Sequence, residues 1–208
     1  KSPVTPILAS RGCPHDCTFC CVTKMMGRQY RFVGNDRVLD ELRRAGTRNI
    51  FFYDDNFAAD RGRTKDLLRS MIREGLGLEW SAQVRSDVAD DEELLSLMRE
   101  AGGKILYIGF ESVHQAALNE FHKGLTIRAV QRNIEAIKRH GFHIHGMFIF
   151  GADTDGPEQL AETVSFARRN HLDTVQFMML TPLPGTPLYE RLEREGRILT
   201  TDWRRRSE

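Results

Sequence analysis

Along this chain, short apolar runs alternate with stretches in which apolar residues recur every three to four positions, the pattern of strands separated by amphipathic helices. Six apolar or β-branched runs stand out, at Val4–Ala9, Asn49–Tyr53, Leu78–Val84, Ile105–Phe110, Ile144–Phe150 and Thr174–Leu180. Helical spacing fills the gaps between them. It is carried by Val38, Leu39 and Leu42; by Leu67, Leu68, Met71 and Ile72; by Leu94, Leu95 and Met98; by Ile127, Val130, Ile134 and Ile137; and by Leu160, Val164 and Ala167. Start signals agree: Asp90 with Glu93 and Asp155 with Glu158 have capping-box spacing, and Thr186-Pro187 reads as an N-cap followed by a first-turn proline. Gly46, Gly75, Gly102 and Gly141 are placed to close helices. Strands alternating with helices predict a parallel sheet with helical crossovers. Periodicity does not choose between a doubly wound sheet and an incompletely closed barrel, and both gather function at the carboxyl ends of the strands.

Composition narrows the class. With 208 residues and 40% hydrophobic content the chain can bury one sizeable core, and no repeat, low-complexity tract or interior linker divides it, so residues 1–208 read as a single domain. A formal net charge of +1 offers no basic surface, and nucleic acid is not an expected partner. No membrane segment is expected, because no run of 18 or more apolar residues occurs. The opening Lys1-Ser2-Pro3-Val4-Thr5-Pro6 lacks the apolar core of a signal peptide, which points to the cytoplasm. A start on Lys1 and an end on Trp203-Arg204-Arg205-Arg206-Ser207-Glu208, without a closing element, read as a domain of a longer protein.

The chemistry is concentrated in Cys13-Pro14-His15-Asp16-Cys17-Thr18-Phe19-Cys20. Each thiolate can hold one iron, so three on one tight loop would bind a cubane cluster and leave a fourth iron without a protein ligand. An open iron is a place for chemistry as well as electron storage. A structural zinc site would want a further closing ligand; His15 lies inside the loop and would strain it. All 4 cysteines fall within positions 13–21, which cannot staple a fold of this size with disulfides. Cys21 reads as a small buried residue, or one that approaches the substrate. A non-catalytic metal module remains an alternative, since it would need only this loop.

The motif, with Ser10-Arg11-Gly12 before it and Phe19 inside it, resembles the radical S-adenosylmethionine (SAM) enzymes. The resemblance implies a six-unit partial TIM barrel, (β/α)6, with the cysteine loop after the first strand. It implies a 4Fe–4S cluster on Cys13, Cys17 and Cys20, SAM chelated by the open iron, and a flavodoxin- or ferredoxin-like electron donor. Lys24, Arg28 and Arg31 are candidates for meeting such an acidic donor. Phe19 falls beside the cofactors. At the end of the second strand, Asp54 and Asp55 stand where the family often carries Gly-Gly-Glu to bind the amino nitrogen of SAM. Asp55 is favoured, and an Asx turn is the alternative for either.

On the third strand Gln83 and Arg85 share a face, and a guanidinium at the rim suits a carboxylate; pairing of Arg85 with Asp87 or Asp54 is the alternative. Glu111 ends the fourth strand at the family's position for the ribose or amino-acid part of SAM. Gly146 and Phe148, in His143-Ile144-His145-Gly146-Met147-Phe148, resemble the segment that lines the adenine pocket. His143 and His145 alternate on one face but have no further ligands nearby, and are not taken as a metal pair. Within the superfamily the chain looks like the Elongator and methylthiotransferase-related core. Tyr30-Arg31-Phe32, Asp54-Asp55-Asn56-Phe57 and Pro184-Gly185-Thr186-Pro187-Leu188 bring it nearest to cobalamin-binding members. That implies methylation or a related radical transformation of a small-molecule substrate, with cobalamin held by a domain before Lys1. A tRNA-modifying methylthiotransferase, the alternative, would need three more cysteines and an RNA-binding domain.

Overall fold

A computed structural model of the chain describes residues 3–202; the expectation for Trp203–Glu208 falls outside them. In chain order the elements are β1 (Thr5–Ile7), β2 (Ser10–Arg11), α1 (Val22–Met26), β3 (Arg31–Phe32), α2 (Asn35–Arg43), β4 (Asn49–Phe52), α3 (Arg61–Glu74), β5 (Glu79–Val84), a 3-10 turn (Ser86–Asp90), α4 (Glu92–Glu100), β6 (Gly103–Glu111), α5 (Gln115–Glu120), α6 (Ile127–Arg139), β7 (His143–Phe150), α7 (Gln159–Arg169), β8 (Thr174–Met179) and α8 (Pro187–Arg194).

Six strands pair in parallel in the order β1-β4-β5-β6-β7-β8. This order settles what periodicity left open. A doubly wound sheet reverses its strand order at a switch point, whereas here every crossover advances in one direction, as in a barrel. β1 and β8 are the two ends of the sheet, so the barrel is partial. Side-chain alternation carries the same message. Ile50 and Phe52 on β4, Trp80, Ala82 and Val84 on β5, Leu106, Ile108 and Phe110 on β6, and Ile144 on β7 are buried in one core with Leu67, Leu68, Leu94, Leu95, Ile134 and Ile137 of the helices. The opposite face carries Phe51, Gln83, Tyr107 and His145, all only half-buried, and it forms the lumen.

Local chemistry explains most element ends. Asp60 caps α3 by accepting from Arg63 N, and Thr126 caps α6 by accepting from Ala129 N. Thr186 accepts from Tyr189 N with Pro187 in the first turn of α8, as the sequence predicts. The other two start signals are displaced. α4 is capped by Asp91, which accepts from Leu94 N, while Asp90 closes the preceding 3-10 turn. Asp155 turns away from α7 and accepts instead from Gly151 N at 2.8 Å and Ala152 N at 3.0 Å. Gly102 must be glycine: its φ is +97°, and a Cβ there would lie 2.1 Å from the Leu78 carbonyl oxygen. Among the described residues no helix is long and apolar enough to cross a membrane.

Candidate active site

The cysteine loop leaves β2 at the carboxyl end of β1 and is fastened at its front by the end of β4. Asp54 is fully buried, accepts from Ala9 N at 3.2 Å and takes a short hydrogen bond from Ser10 Oγ. Gly12 N donates to Asp55 Oδ2 at 2.9 Å. The adjacent acids therefore divide the work. Asp54 has one carboxylate oxygen on the Ala9 amide and the other on the Ser10 hydroxyl, which corrects its expected place beside a ligand, while Asp55 lines the cavity. Cys20 N donates to Cys17 O at 3.1 Å, closing a tight turn, and Thr23 Oγ1 donates to His15 O at 3.2 Å.

Cys13, Cys17 and Cys20 all line one cavity of about 200 Å³. Its other walls include Phe19, Asp55, Gln83, Arg85, Glu111 and Lys123. Burial pushes the Cys20 thiol up to about 11 and also raises Cys13, with the neighbouring Cys17 adding to both. A bound cation would reverse this preference, since metal charge drives thiols to thiolates. Among the described residues no three His, Cys, Asp or Glu side chains converge as a set for a single metal ion. The three thiols instead surround a space, which fits a cluster in which each sulfur bonds a different iron.

On the far wall β6 builds an unusual strand end. The β6–β7 register shifts between Gly109 and Glu111, and Glu111 sits at φ +65°, left-handed for a non-glycine residue. This re-aims its carboxylate at Lys123, whose Nζ lies 2.7 Å from Oε1; the two side chains are 8% and 7% exposed. Gly109 makes room for the pair, because a Cβ there would lie 2.3 Å from Glu111 Oε1 and 3.3 Å from Lys123 Nζ. Arg85 donates from Nη2 to the Lys123 carbonyl at 2.7 Å and from Nε to Asp87 at 3.3 Å. Thus the alternative rim pair with Asp87 does form, yet Arg85 still borders the cavity.

Phe19 packs edge-on against Phe121 at 5.2 Å and borders the same cavity. Gly146 and Phe148 do not reach it. Both are buried on the helix-facing side of β7: a Cβ on Gly146 would lie 2.8 Å from Leu172 Cδ1, and the Phe148 ring packs on Phe110 at 5.7 Å and Phe166 at 6.4 Å. Strand alternation puts Met147, the residue between them, into the cavity. The basic residues near the loop are also engaged, Lys24 with Glu190 at 3.2 Å, Arg28 with Asp16 at 2.5 Å, and Arg31 with the Met26 carbonyl at 3.1 Å.

Sequence reasoning missed Lys123 and Tyr107, which also line the cavity, as does Asn56, the amide that follows Asp54 and Asp55 at the end of the second strand. Tyr107 was findable, since alternation with Leu106 and Ile108 sends it to the lumen. Lys123 had no such signal. Gln83 and Tyr107 of the cavity wall continue into His145 and Thr174, the four standing in one register row across four strands. The Tyr107 and His145 rings are 4.7 Å apart, and His145 Nδ1 meets Thr174 Oγ1 at 2.8 Å. His143 pairs with Asp173 at 2.7 Å instead of joining His145.

A three-thiol loop over the strand ends of a six-stranded partial barrel defines a class of cofactor-dependent enzyme. The radical SAM superfamily model matches residues 7–167, and this chain belongs to that family. Membership implies a 4Fe–4S cluster and SAM. The chain is 32% identical over 209 residues to the bacteriochlorophyllide d C-12(1)-methyltransferase of Chlorobaculum tepidum, covering 97% of this chain and 45% of that protein. It is 32% identical over 202 residues to the hopanoid C-2 methylase of Rhodopseudomonas palustris, covering 93% and 38%. A structure of the radical SAM methyltransferase TsrM from Kitasatospora setae, with cobalamin and a 4Fe–4S cluster bound, superposes with a TM-score of 0.85 at 20% identity, covering 92% of this chain and 39% of that one. That likeness shows the fold. The chain spans less than half the length of these relatives.

Proposed function

We propose that this protein uses a 4Fe–4S cluster on Cys13, Cys17 and Cys20 to cleave SAM reductively, for cobalamin-dependent methylation or a related radical transformation of a small molecule. The observation that carries the reading is the meeting of three thiols with Asp55, Arg85, Glu111 and Lys123 around one cavity. When bound, the cluster supplies the electron that splits SAM into methionine and a 5′-deoxyadenosyl radical. The chain supplies orientation and exclusion. Asp55 is placed to meet the ammonium end of an amino acid. Arg85 and Lys123 bring two cations to where a carboxylate would lie, and Glu111 holds the Lys123 charge in a fixed direction. Phe19, Tyr107 and Met147 wall the cavity, limiting water near a reactive carbon.

The methyltransferase names of the relatives support the methylation reading, and cobalamin bound to TsrM supports a cobalamin domain outside this chain. The half-open lumen floor of Gln83, Tyr107, His145 and Thr174 is suited to a substrate that offers both a π face and hydrogen-bonding groups. We assign the protein to the reducing cytoplasm, with an electron donor of the flavodoxin or ferredoxin kind. The chain's 4 cysteines, all within positions 13–21, supply no second cysteine triad of the methylthiotransferase kind. The test is anaerobic reconstitution with iron and sulfide, followed by dithionite and SAM. Formation of 5′-deoxyadenosine, abolished by Cys17→Ala, supports the assignment. A protein that takes up zinc and leaves SAM intact overturns it.

A further inference from the structure

The last helix does not do what its place in the chain leads one to expect. A crossover helix after β8 would cover that strand's outer face, yet Val175, Phe177 and Met179 there remain 39%, 41% and 75% exposed. Instead α8 crosses to the cysteine loop, and Leu188 N at its first turn donates to Thr18 O at 3.0 Å. Thr18 lies between Cys17 and Cys20, and its other polar groups are also engaged. Its N–H donates to Phe121 O and its Oγ1 to Glu120 O, both at 3.1 Å. The residue that carries one of those carbonyls is in turn gripped by α8, since Arg191 Nη2 meets Glu120 Oε1 at 3.0 Å and Nη1 meets Asp153 Oδ2 at 2.6 Å. The ring is closed: loop to α5, α5 to α8, α8 back to the loop. Asp153, flanked by Arg197 and Arg191, is held well below the usual carboxylate range, so the anchor stays charged through neutral pH.

We propose that α8 is a clasp on the rear of the cysteine loop, and that Arg191 is a positioning residue which acts through Glu120 and the Thr18 peptide to fix the directions of the Cys17 and Cys20 thiolates. The inference rests on reading those thiolates as cluster ligands. Thr18 belongs to the short turn that joins Cys17 to Cys20, so a shift of its backbone changes the spacing of the two thiolates, and a loosened clasp loses cluster before it loses fold. The front of the loop, held by Asp54 and Asp55, would keep Cys13 in place.

The test uses the full-length protein, reconstituted anaerobically, in wild-type form and as Arg191→Met, Arg191→Lys, Thr18→Val and Arg197→Gln. Arg197 is the control, because it pairs with Asp153 and Glu195 but is not among the partners of Glu120 or Thr18. Three quantities are read: the rate of iron loss to a ferrous chelator, the line shape of the reduced cluster in electron paramagnetic resonance, and the melting temperature of the metal-free protein. Arg191→Met and Thr18→Val should lose iron about fivefold faster than wild type, the scale of one hydrogen bond, and should broaden the resonance. Arg197→Gln should stay within about twofold, Arg191→Lys should fall between, and the metal-free melting temperatures should agree within about 3 °C. Equal iron loss from Arg191→Met and Arg197→Gln overturns the clasp, as does faster loss matched by a lower metal-free melting temperature. Should Arg191→Met not fold, Thr18→Val against wild type decides by the same criteria. A wild-type protein that binds no cluster overturns the cysteine assignment itself, a failure distinct from the first two.

Discussion

Replacing Lys123 with Met keeps most of the side chain's length and removes its charge, so it isolates the ion pair on which the far wall of the cavity is built. In the native fold Nζ and Oε1 of Glu111 are 2.7 Å apart with both side chains under 10% exposed. Taking away one partner leaves a buried carboxylate without its counter-charge, which costs about 3–5 kcal/mol in such sites. Because the carboxylate borders a cavity that water can enter, we expect the lower end, about 3 kcal/mol, or a fall of roughly 6–12 °C in the melting temperature of a chain this long. Glu111→Gln combined with Lys123→Met removes both charges and should cost less than Lys123→Met alone. The assay is thermal unfolding of the metal-free protein at neutral pH, paired with SAM binding to the reconstituted protein. There Lys123→Met should weaken affinity about tenfold, the worth of one charge-assisted hydrogen bond. A single variant within about 1 kcal/mol of wild type, or a double variant less stable than Lys123→Met, would refute the reasoning.

Two further outcomes follow from neighbouring residues. Gly109→Ala places a methyl group against the flexible ends of Glu111 and Lys123, so the pair must move by about 1 Å while the fold loses only about 1 kcal/mol. SAM cleavage should nonetheless fall tenfold or more, read as 5′-deoxyadenosine per minute, and an unchanged rate would show that the pair's position is immaterial. Asp54 should give stability a pH slope. Burial raises its carboxyl, more than the bonds from Ser10 and Ala9 lower it, so the folded protein holds this proton more tightly than the unfolded chain does. Its contribution therefore declines as pH climbs from about 4 through the folded-state pKa and is flat beyond. Asp54→Asn lacks the slope, so the stability of wild type minus that of Asp54→Asn, from urea midpoints, should decrease over this window. A difference that increases with pH would mean the fold favours the carboxylate.

Much of this architecture was legible from local pattern, and what was hidden was hidden for physical reasons. The strand runs and helical stripes were plain because each element buries one face. Cys13, Cys17 and Cys20 could be expected to meet in space, because eight residues of chain hold them together, and all three line one cavity. Where both faces of a strand are apolar, however, alternation has no phase, and Gly146-Met147-Phe148 on β7 is such a place: Met147 faces in and its neighbours face out. Asp54 and Asp55 are adjacent and chemically alike; only the position of the cysteine loop decides that the first is buried beneath it. The capping signals at Asp90 and Asp155 failed because Asp91 offered an equivalent oxygen one residue on, and because the turn at Gly151 and Ala152 competed for the Asp155 carboxylate. Lys123 was invisible because its meaning comes from a carboxylate 12 residues earlier, across a short helix.

Under the proposed function, three cysteines leave one iron open to the amino-acid end of SAM. Electron–nuclear double resonance of the reduced, cluster-loaded protein, mixed with SAM isotopically labelled at its amino nitrogen and carboxylate oxygens, tests it at the atoms concerned. Couplings from both labels to the cluster are the predicted result. A cluster that forms but shows neither coupling, or shows in their place a nitrogen from the protein, would contradict the account.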